Sequence, residues 1–464
     1  MTTRSPRLRA QLKTLRHIPI TDIKQIFAPW VEIPRNLKEP GRKRLYTPLN
    51  TFWLFLSQTL TKATSCRETV RKFLAWLAVE EEKTASPNTA AYCKARNRLR
   101  LDDIEVMHGR IRGRVEHSCA DNRWYGRAVK VIDGSTVSMP DTPENQWAYP
   151  QSTRQKPGCG FPIMRIVAVF SLHTGLVLTL AKGILHTSED ELFRSLWESL
   201  RPGDVALGDR KLCSYAHFHF LALRGVDCVM RNNQRRTVGL TLVKRLGKGD
   251  RLIEWHKSKV YPAWPTKKQW DALPDRMLVR EITIRIAEPG FRTKRIIIAT
   301  TLTDPKVFPT PAFAELYRKR WNAELYLCDI KVTMGMDILS CKTPDMVDKE
   351  LWMHVIAYNL LRALIIQAAT AHAVPFERIS FKGTVDTVRQ WAPLLSYSHL
   401  TQRQSRHVYE LLLSYLVKDI VPHRPNRLEP RARKRRPKQY PLLTKPRHLF
   451  KEIPHRKKYA TGLS

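Results

Sequence analysis

Residues 317 to 331 read YRKRWNAELYLCDIK. The composition suits a helix, and several of its polar residues recur at whole-turn spacing. At 3.6 residues per turn each step rotates by about 100°. Relative to Tyr317, Arg320 falls at roughly −60°, Glu324 at about −20° and Lys331 at about −40°. On one continuous helix the four side chains form a single narrow stripe. A carboxylate flanked by two cations and a phenol is either a solvated i,i+4 ladder or a device for gripping a metal and a phosphate.

The rest of the chain weighs on that choice through charge. Its 464 residues carry 80 Lys+Arg against 42 Asp+Glu, a formal net charge of +38, and 43% are hydrophobic. The hydrophobic content is that of a globular protein, and the length suggests roughly three domains. So large an excess of one sign repels itself unless a polyanion neutralises it, which points to nucleic acid. No uninterrupted apolar run reaches the ~18–20 residues of a membrane span. HVIAYNLLRALIIQAA comes nearest, and it carries His354, Asn359 and Arg362. The basic start of the chain has no signal-peptide core after it. The expectation is a cytoplasmic protein that works on DNA or RNA, with no membrane partner. The eight cysteines (66, 93, 119, 159, 213, 228, 328 and 341) form no CxxC pair, so buried, reduced thiols are expected.

Residues 20 to about 120 read as helices. Thr47 and Pro48 begin one, and a capping box, Ser65 to Glu68, begins another. Near residue 127 the period changes: RAVKVIDGSTVSM is β-branched, and IMRIVAVFSLHTGLVLTLAKGIL reads as two strands joined at HTG. A helix capped at Ser188, the strand DVALG, a helix over YAHFHFLALRG and the strand VDCVMRN follow. This β-β-β-α-β-α-β order predicts a mixed sheet with helices packed on it. The expected organisation is a helical N-terminal domain (1–122) suited to DNA binding, then the first part of an α/β core (123–231). An insertion of cationic alternating strands (232–292) and the rest of the core (293–341) come next. A C-terminal helical region (342–422) and a basic, disordered tail (423–464) complete it.

Two acids follow hydrophobic strands: Asp133 after AVKVI and Asp209 after DVALG. Taken singly, an Asp before Gly is ordinary turn chemistry, and a strand-end Asp is often a helix cap. Taken with Glu324 they suggest three carboxylates meeting where sheet strands end. Such a set suits two divalent cations, which prefer oxygen ligands and promote phosphodiester displacement. Arg320, Lys331 and the cationic surround would offset the repulsion between carboxylates and phosphates.

Tyr317, Arg320, Glu324 and Lys331 match the Y-(2)-R-(3)-E-(6)-K signature, so the chain resembles the DDE transposases of the insertion-sequence-4 family. VIDGSTV and ALGDRKL resemble that family's two Asp motifs, and the likeness runs over roughly residues 20 to 440. The resemblance implies a ribonuclease-H-like catalytic core interrupted by a β domain, with Asp133, Asp209 and Glu324 as catalytic metal ligands. It implies two Mg2+ or Mn2+ ions, cleavage and joining of double-stranded DNA at terminal inverted repeats and target, and a homodimer in the synaptic complex. Tyr317, Arg320, Lys331 and Arg210 would contact DNA. Some family members stack a tryptophan of the β domain on a flipped base. Trp255 is the candidate here, with Trp264 and Trp270 as rivals. A nuclease of the same fold that does not join strands, or a decayed copy that only binds DNA, would share most of these features.

Overall fold

A computed structural model describes residues 21–27, 29–32, 45–80, 85–119, 123–232, 239–259, 264–286, 295–395, 401–422 and 441–450. Arg235, Arg236 and the tail cations Arg431 and Arg433 to Arg436 lie outside these residues.

Local chemistry starts the helices where the sequence suggests. The N-terminal part holds α1 (Thr21–Phe27), α2 (Pro48–Leu60), α3 (Cys66–Glu80), α4 (Ala90–Arg98) and α5 (Leu101–Ser118). The Thr47 hydroxyl accepts the Asn50 amide at 3.1 Å, with Pro48 in the first turn where its missing N–H costs nothing. Ser65 caps α3 in the same way. The N-terminal helices dock on the rest through a buried cation: Arg96 of α4 donates to the sulfurs of Cys66 and Cys341 at 3.0 and 2.9 Å. The cysteines are less uniformly buried than expected, since Cys93 and Cys328 are exposed.

Nine strands make one mixed sheet in the order β3-β2-β1-β4-β5-β9-β8-β7-β6. β1 (Val129–Ser138) and β2 (Ile163–Ser171) are antiparallel, with the short α6 (Pro143–Ala148) in the loop between them. β2 pairs antiparallel with β3 (Val177–Ile184). The chain then runs through α7 (Glu189–Ser195), capped by Ser188, to β4 (Val205–Gly208), which lies parallel to β1. From α8 (Tyr215–Leu223) it enters β5 (Asp227–Arg231), parallel to β4. Strands β6 (Leu240–Gly247), β7 (Asp250–His256) and β8 (Arg276–Arg285), with α9 (Lys267–Asp271) before β8, are the cationic strands expected as an insertion. They do not stand apart from the core. β8 pairs with β9 (Arg295–Thr300) from Arg280 to Arg285, and β9 pairs with β5, so the sheet is continuous. From Ile298 to Thr300, β9 thereby pairs with a strand on each side.

A buried ion pair joins this extension to the element that follows it. Arg280 is fully buried and grips both oxygens of Asp250, at 2.9 and 2.6 Å, while donating to the Phe308 carbonyl at 2.7 Å. Thr310, at the start of α10 (Thr310–Lys319), donates to the same carboxylate at 2.7 Å. Next come α11 (Trp321–Cys328), a π turn over Asp329–Thr333, and α12 (Pro344–His372). α13 (Phe381–Leu395) and α14 (Gln402–Leu416) pack on α12. α12 is long and apolar enough to cross a membrane, but it is buried within the protein. Asn359 ties it to the sheet, exchanging two 2.9 Å hydrogen bonds with the backbone of Val177 at the start of β3.

His108 of α5 donates from Nε2 to the same Val177 carbonyl at 2.9 Å, and burial pushes its imidazole down to about 4 from 6.5. The folded chain therefore favours the neutral ring. Its contribution is complete above pH about 6.5, declines as the unfolded chain gains a proton, and is gone below about 4. Relative to His108→Gln, wild-type stability should fall by on the order of 3 kcal/mol between pH 7 and pH 4. Urea denaturation of both proteins across that range measures it, and a difference independent of pH would refute it.

Candidate active site

The pairing of β1 with β4 is where the site begins. Val129 stands against Val205, Lys130 against Ala206 and Val131 against Leu207. The pairing ends there; Asp133 follows Val131 by two residues on β1, and Asp209 follows Leu207 by two, just past the end of β4. Side chains two apart on a strand share a face of the sheet, so Asp133 lies on the face of Val131. Asp209 is one residue past the end of β4, as its sequence suggests. Asp133 is not at a strand end: β1 runs on to Ser138, paired residue by residue with β2. Gly134 is thus a strand residue, not a turn residue. Its missing side chain has another use, since a Cβ there would come within 3.0 Å of the Glu189 carboxyl carbon.

Each acid is held differently. Asp209 accepts the amides of Lys211 and Leu212 at 2.8 and 3.4 Å, which fixes the turn leading towards α8. Asp133 is half-buried and accepts the Gly134 amide at 2.9 Å. Burial, chiefly, raises its pKa to about 6; the Gly134 amide and the Arg320 guanidinium pull it down, and the charges of Glu324 and Asp209 push it up. Asp133 is therefore within electrostatic reach of both Glu324 and Asp209.

α11 brings the third. It packs on β1, and its Glu324 accepts from Arg320 at 2.8 Å. Arg320 lies in turn over the Tyr317 ring, 5.7 Å from the centroid. Burial pushes the Tyr317 phenol up to about 12, against the pull of Arg320 and Arg231. These three residues meet as the helical spacing suggests, although the helix is not continuous. Arg320 sits at a joint, where its amide and that of Ala323 bond three residues back instead of four. Lys331 lies beyond the end of α11. The π turn carries it to β1, where its ammonium donates to Ser135 Oγ at 2.7 Å, two residues from Asp133.

The remaining expected contacts divide. Arg210 is exposed, next to Asp209. Trp255 is a correction: it is fully buried in β7, its ring 4.9 Å from that of Phe218 under the sheet, and no face is open to a base. Trp270 is buried as well, and half-buried Trp264 stacks on His217. Alternation along β7 turns Trp255 inward with Ile253, a signal that the cation-rich surroundings obscured. Sequence reasoning also missed Ser135 and Glu189. Glu189 pairs with Lys211 at 3.2 Å beside the site. Neither carries a local sequence signal, since both reach the site through tertiary contacts.

Comparison with known proteins places this arrangement. The family model described as a transposase DDE domain matches residues 124–360, just over half of the chain. The transposase InsG for insertion sequence element IS4 of Escherichia coli K12 is 27% identical over 440 residues, spanning 92% of this chain and 95% of that one. The chain is a DDE transposase of the insertion-sequence-4 family. A cryo-EM structure of the piggyBac transposase synaptic complex with hairpin DNA aligns over 89% of this chain and 86% of that one, with 10% identity and a TM-score of 0.38. The transposase is thus a DNA-cleaving and strand-transferring enzyme of a family that depends on divalent metal ions.

The donor chemistry of the site suits such an ion. Asp133 is hard to ionise partly because of the charges of Glu324 and Asp209. A hard cation would relieve that repulsion. The three are not gathered as ligands, however: among the described residues no group of three His, Cys, Asp or Glu side chains is placed to hold a metal. Glu324 is engaged with Arg320 instead, which neutralises it at no cost in repulsion.

The buried state of Trp255 has a direct consequence. Trp255→Ala should cost about 3–5 kcal/mol of unfolding free energy, the usual range for emptying a buried aromatic site. Urea denaturation decides it, and a loss below about 1 kcal/mol would mean that the ring is not a core residue.

Proposed function

We propose that Asp133, Asp209 and Glu324 hold two divalent cations, Mg2+ or Mn2+, for cleavage of the transposon ends and their joining to target DNA. The observation that supports this reading is the parallel pairing of β1 with β4 just before Asp133 and Asp209, with α11, which carries Glu324, packed on β1. We further infer that the core is ribonuclease-H-like. The order β3-β2-β1-β4-β5, antiparallel in its first three strands and parallel in the next, supports it.

Cations bound there would activate a water or a 3′-hydroxyl and stabilise the leaving oxygen. The chain's own residues do the rest. Glu324 would exchange its bond to Arg320 for a metal, and the released guanidinium would take a phosphate oxygen in its place. Tyr317 supports Arg320 from below through its ring. Lys331, held at Ser135, would place a second positive charge on the strand being cut. Arg210, exposed and next to Asp209, would meet the backbone of the duplex. Exposed Lys244, Arg245 and Lys248 on the edge strand β6 and its turn extend the cationic surface. The substrates in this reading are double-stranded terminal inverted repeats and target DNA. The synaptic complex is a homodimer, at work in the cytoplasm of a prokaryote. All three carboxylates are present, which favours a copy competent for catalysis over a decayed one.

Two variants separate chemistry from binding. Glu324→Gln keeps size and helix propensity but removes the charge that draws the metal. Cleavage of a duplex bearing the gene's own flanking repeats in Mg2+ should fall about a thousandfold or more. Metal-free binding of the same duplex should hold or rise slightly. Arg320→Ala should weaken both, because a phosphate contact positions the strand as well as screening it. Near wild-type cleavage by Glu324→Gln would reduce the site to a surface ion-pair ladder.

Affinity should also fall steeply with salt. For Z phosphates neutralised, log K against log salt has a slope of about −0.9Z. Replacing Lys244, Arg245 and Lys248 together by Gln is expected to flatten the slope by roughly two to three units and to weaken unrelated sequences equally. An unchanged slope in a filter-binding titration would remove these residues from the DNA interface.

A further inference from the structure

The π turn that carries Lys331 is anchored from beneath by a cation that the site itself does not use. Arg362, midway along α12, has only 5% of its side chain exposed. Its Nη2 donates to Asp329 Oδ2 at 2.9 Å, and its Nε donates to the Tyr358 hydroxyl at 2.9 Å. The guanidinium lies over the rings of Tyr326, Tyr358 and Phe381, at 4.5, 5.3 and 5.3 Å from their centroids. Tyr358 passes the chain of bonds on to the Gly175 carbonyl in the β2–β3 turn, at 2.8 Å. Gly175 leaves room for the Tyr326 ring, which a Cβ there would meet at 3.1 Å.

Asp329 is the first residue of the π turn. Its carbonyl accepts the Met334 amide, five residues on, at 3.1 Å. The Ile330 and Lys331 carbonyls accept amides six residues on, at 3.3 and 3.2 Å. An α-helix would make these bonds at four residues, so the turn is widened through its whole length. Widened turns are rare and need outside support. Asp329 supplies it on one side. On the other, Lys62 of the N-terminal part donates to the Val332 carbonyl at 3.1 Å. From the same turn Lys331 reaches Ser135. A buried ion pair is a poor source of net stability compared with apolar residues of the same volume, but it imposes one geometry.

We propose that the Arg362–Asp329 pair is a positioning element for the reaction: it holds the π turn so that the Lys331 ammonium stands on Ser135, two residues along β1 from Asp133, where it would meet the phosphate of the cut strand. The pair acts through Lys331, and the inference rests on the phosphate contact assigned to Lys331 above.

The test is a double-mutant cycle on nicking of a plasmid carrying the gene's own flanking ends in Mg2+, together with the salt dependence of binding to the same ends. Lys331→Met alone should cut nicking at least about tenfold and flatten the log K against log salt slope by about one unit. If it does neither, the phosphate reading of Lys331 fails, and this proposal with it. Asp329→Ala should produce the same flattening. Removing a negative charge would by itself leave the slope unchanged or make it steeper, so mere electrostatics predicts the opposite sign. In the Lys331→Met background Asp329→Ala should cost less than about threefold further nicking. If its full effect persists there, or its slope is not flattened, the positioning role is overturned while the reading of Lys331 stands. Should Asp329→Ala melt more than about 5 °C below wild type, the paired Asp329→Leu, Arg362→Met variant replaces it. That variant removes both buried charges at once, and the same outcomes decide.

Discussion

Two parallel strands and their register underlie everything else in this protein. Hydrogen bonds between β1 and β4 place residues of one strand against fixed partners of the other, and slipping by one residue would turn every side chain to the opposite face. Hydrophobic residues on both strands, buried on both sides of the sheet, forbid that slip. Asp133 therefore keeps the face of Val131, and Asp209 follows directly on the strand paired beside it. The cost of the arrangement is visible in Asp133, whose ionisation is opposed by burial and by its acidic neighbours.

The third carboxylate depends on a longer mechanical path. β9 delivers the chain to α10, and the buried Arg280–Asp250 pair ties the start of α10 to the sheet extension through Thr310. The joint at Arg320 then turns α11 onto β1. The strands of the extension are thus part of what positions Glu324, and their cationic outer edge lies on the same continuous sheet as the carboxylates. A strongly basic protein with a locally acidic site is consistent with a catalyst for a polyanion: long-range attraction comes from the surface, and the carboxylates take part only at close range.

The local signals were legible in the sequence. Thr47, Ser65 and Ser188 each accept an amide at the start of the helix they were expected to cap, because capping involves only atoms three residues apart. The strands β2 and β3 about HTG, the strand leading to Asp209, and the Arg320–Glu324 pairing were equally readable, being set by local composition and by the 3.6-residue helical period. The four-residue signature carried the class of enzyme, and the family match agrees with it.

Other features could not be read that way, and each depends on residues far apart in the chain. Asp133–Gly134 has the composition of a turn, but pairing with β2 carries the strand through it. Lys331 belongs by helical arithmetic to the stripe of Glu324, but Asp329, held by an arginine 33 positions away, widens the turn and sends it to Ser135. Trp255 sits among cations in the sequence, yet the face of β7 that carries it packs on Phe218. The strands after residue 232 have the look of a separate unit, yet β8 finds its partner in β9. Sequence periodicity determines which residues can share a face of one element. Which elements meet, and so which charges stand together, is set by non-local pairing and packing, whose free energy exceeds any local preference.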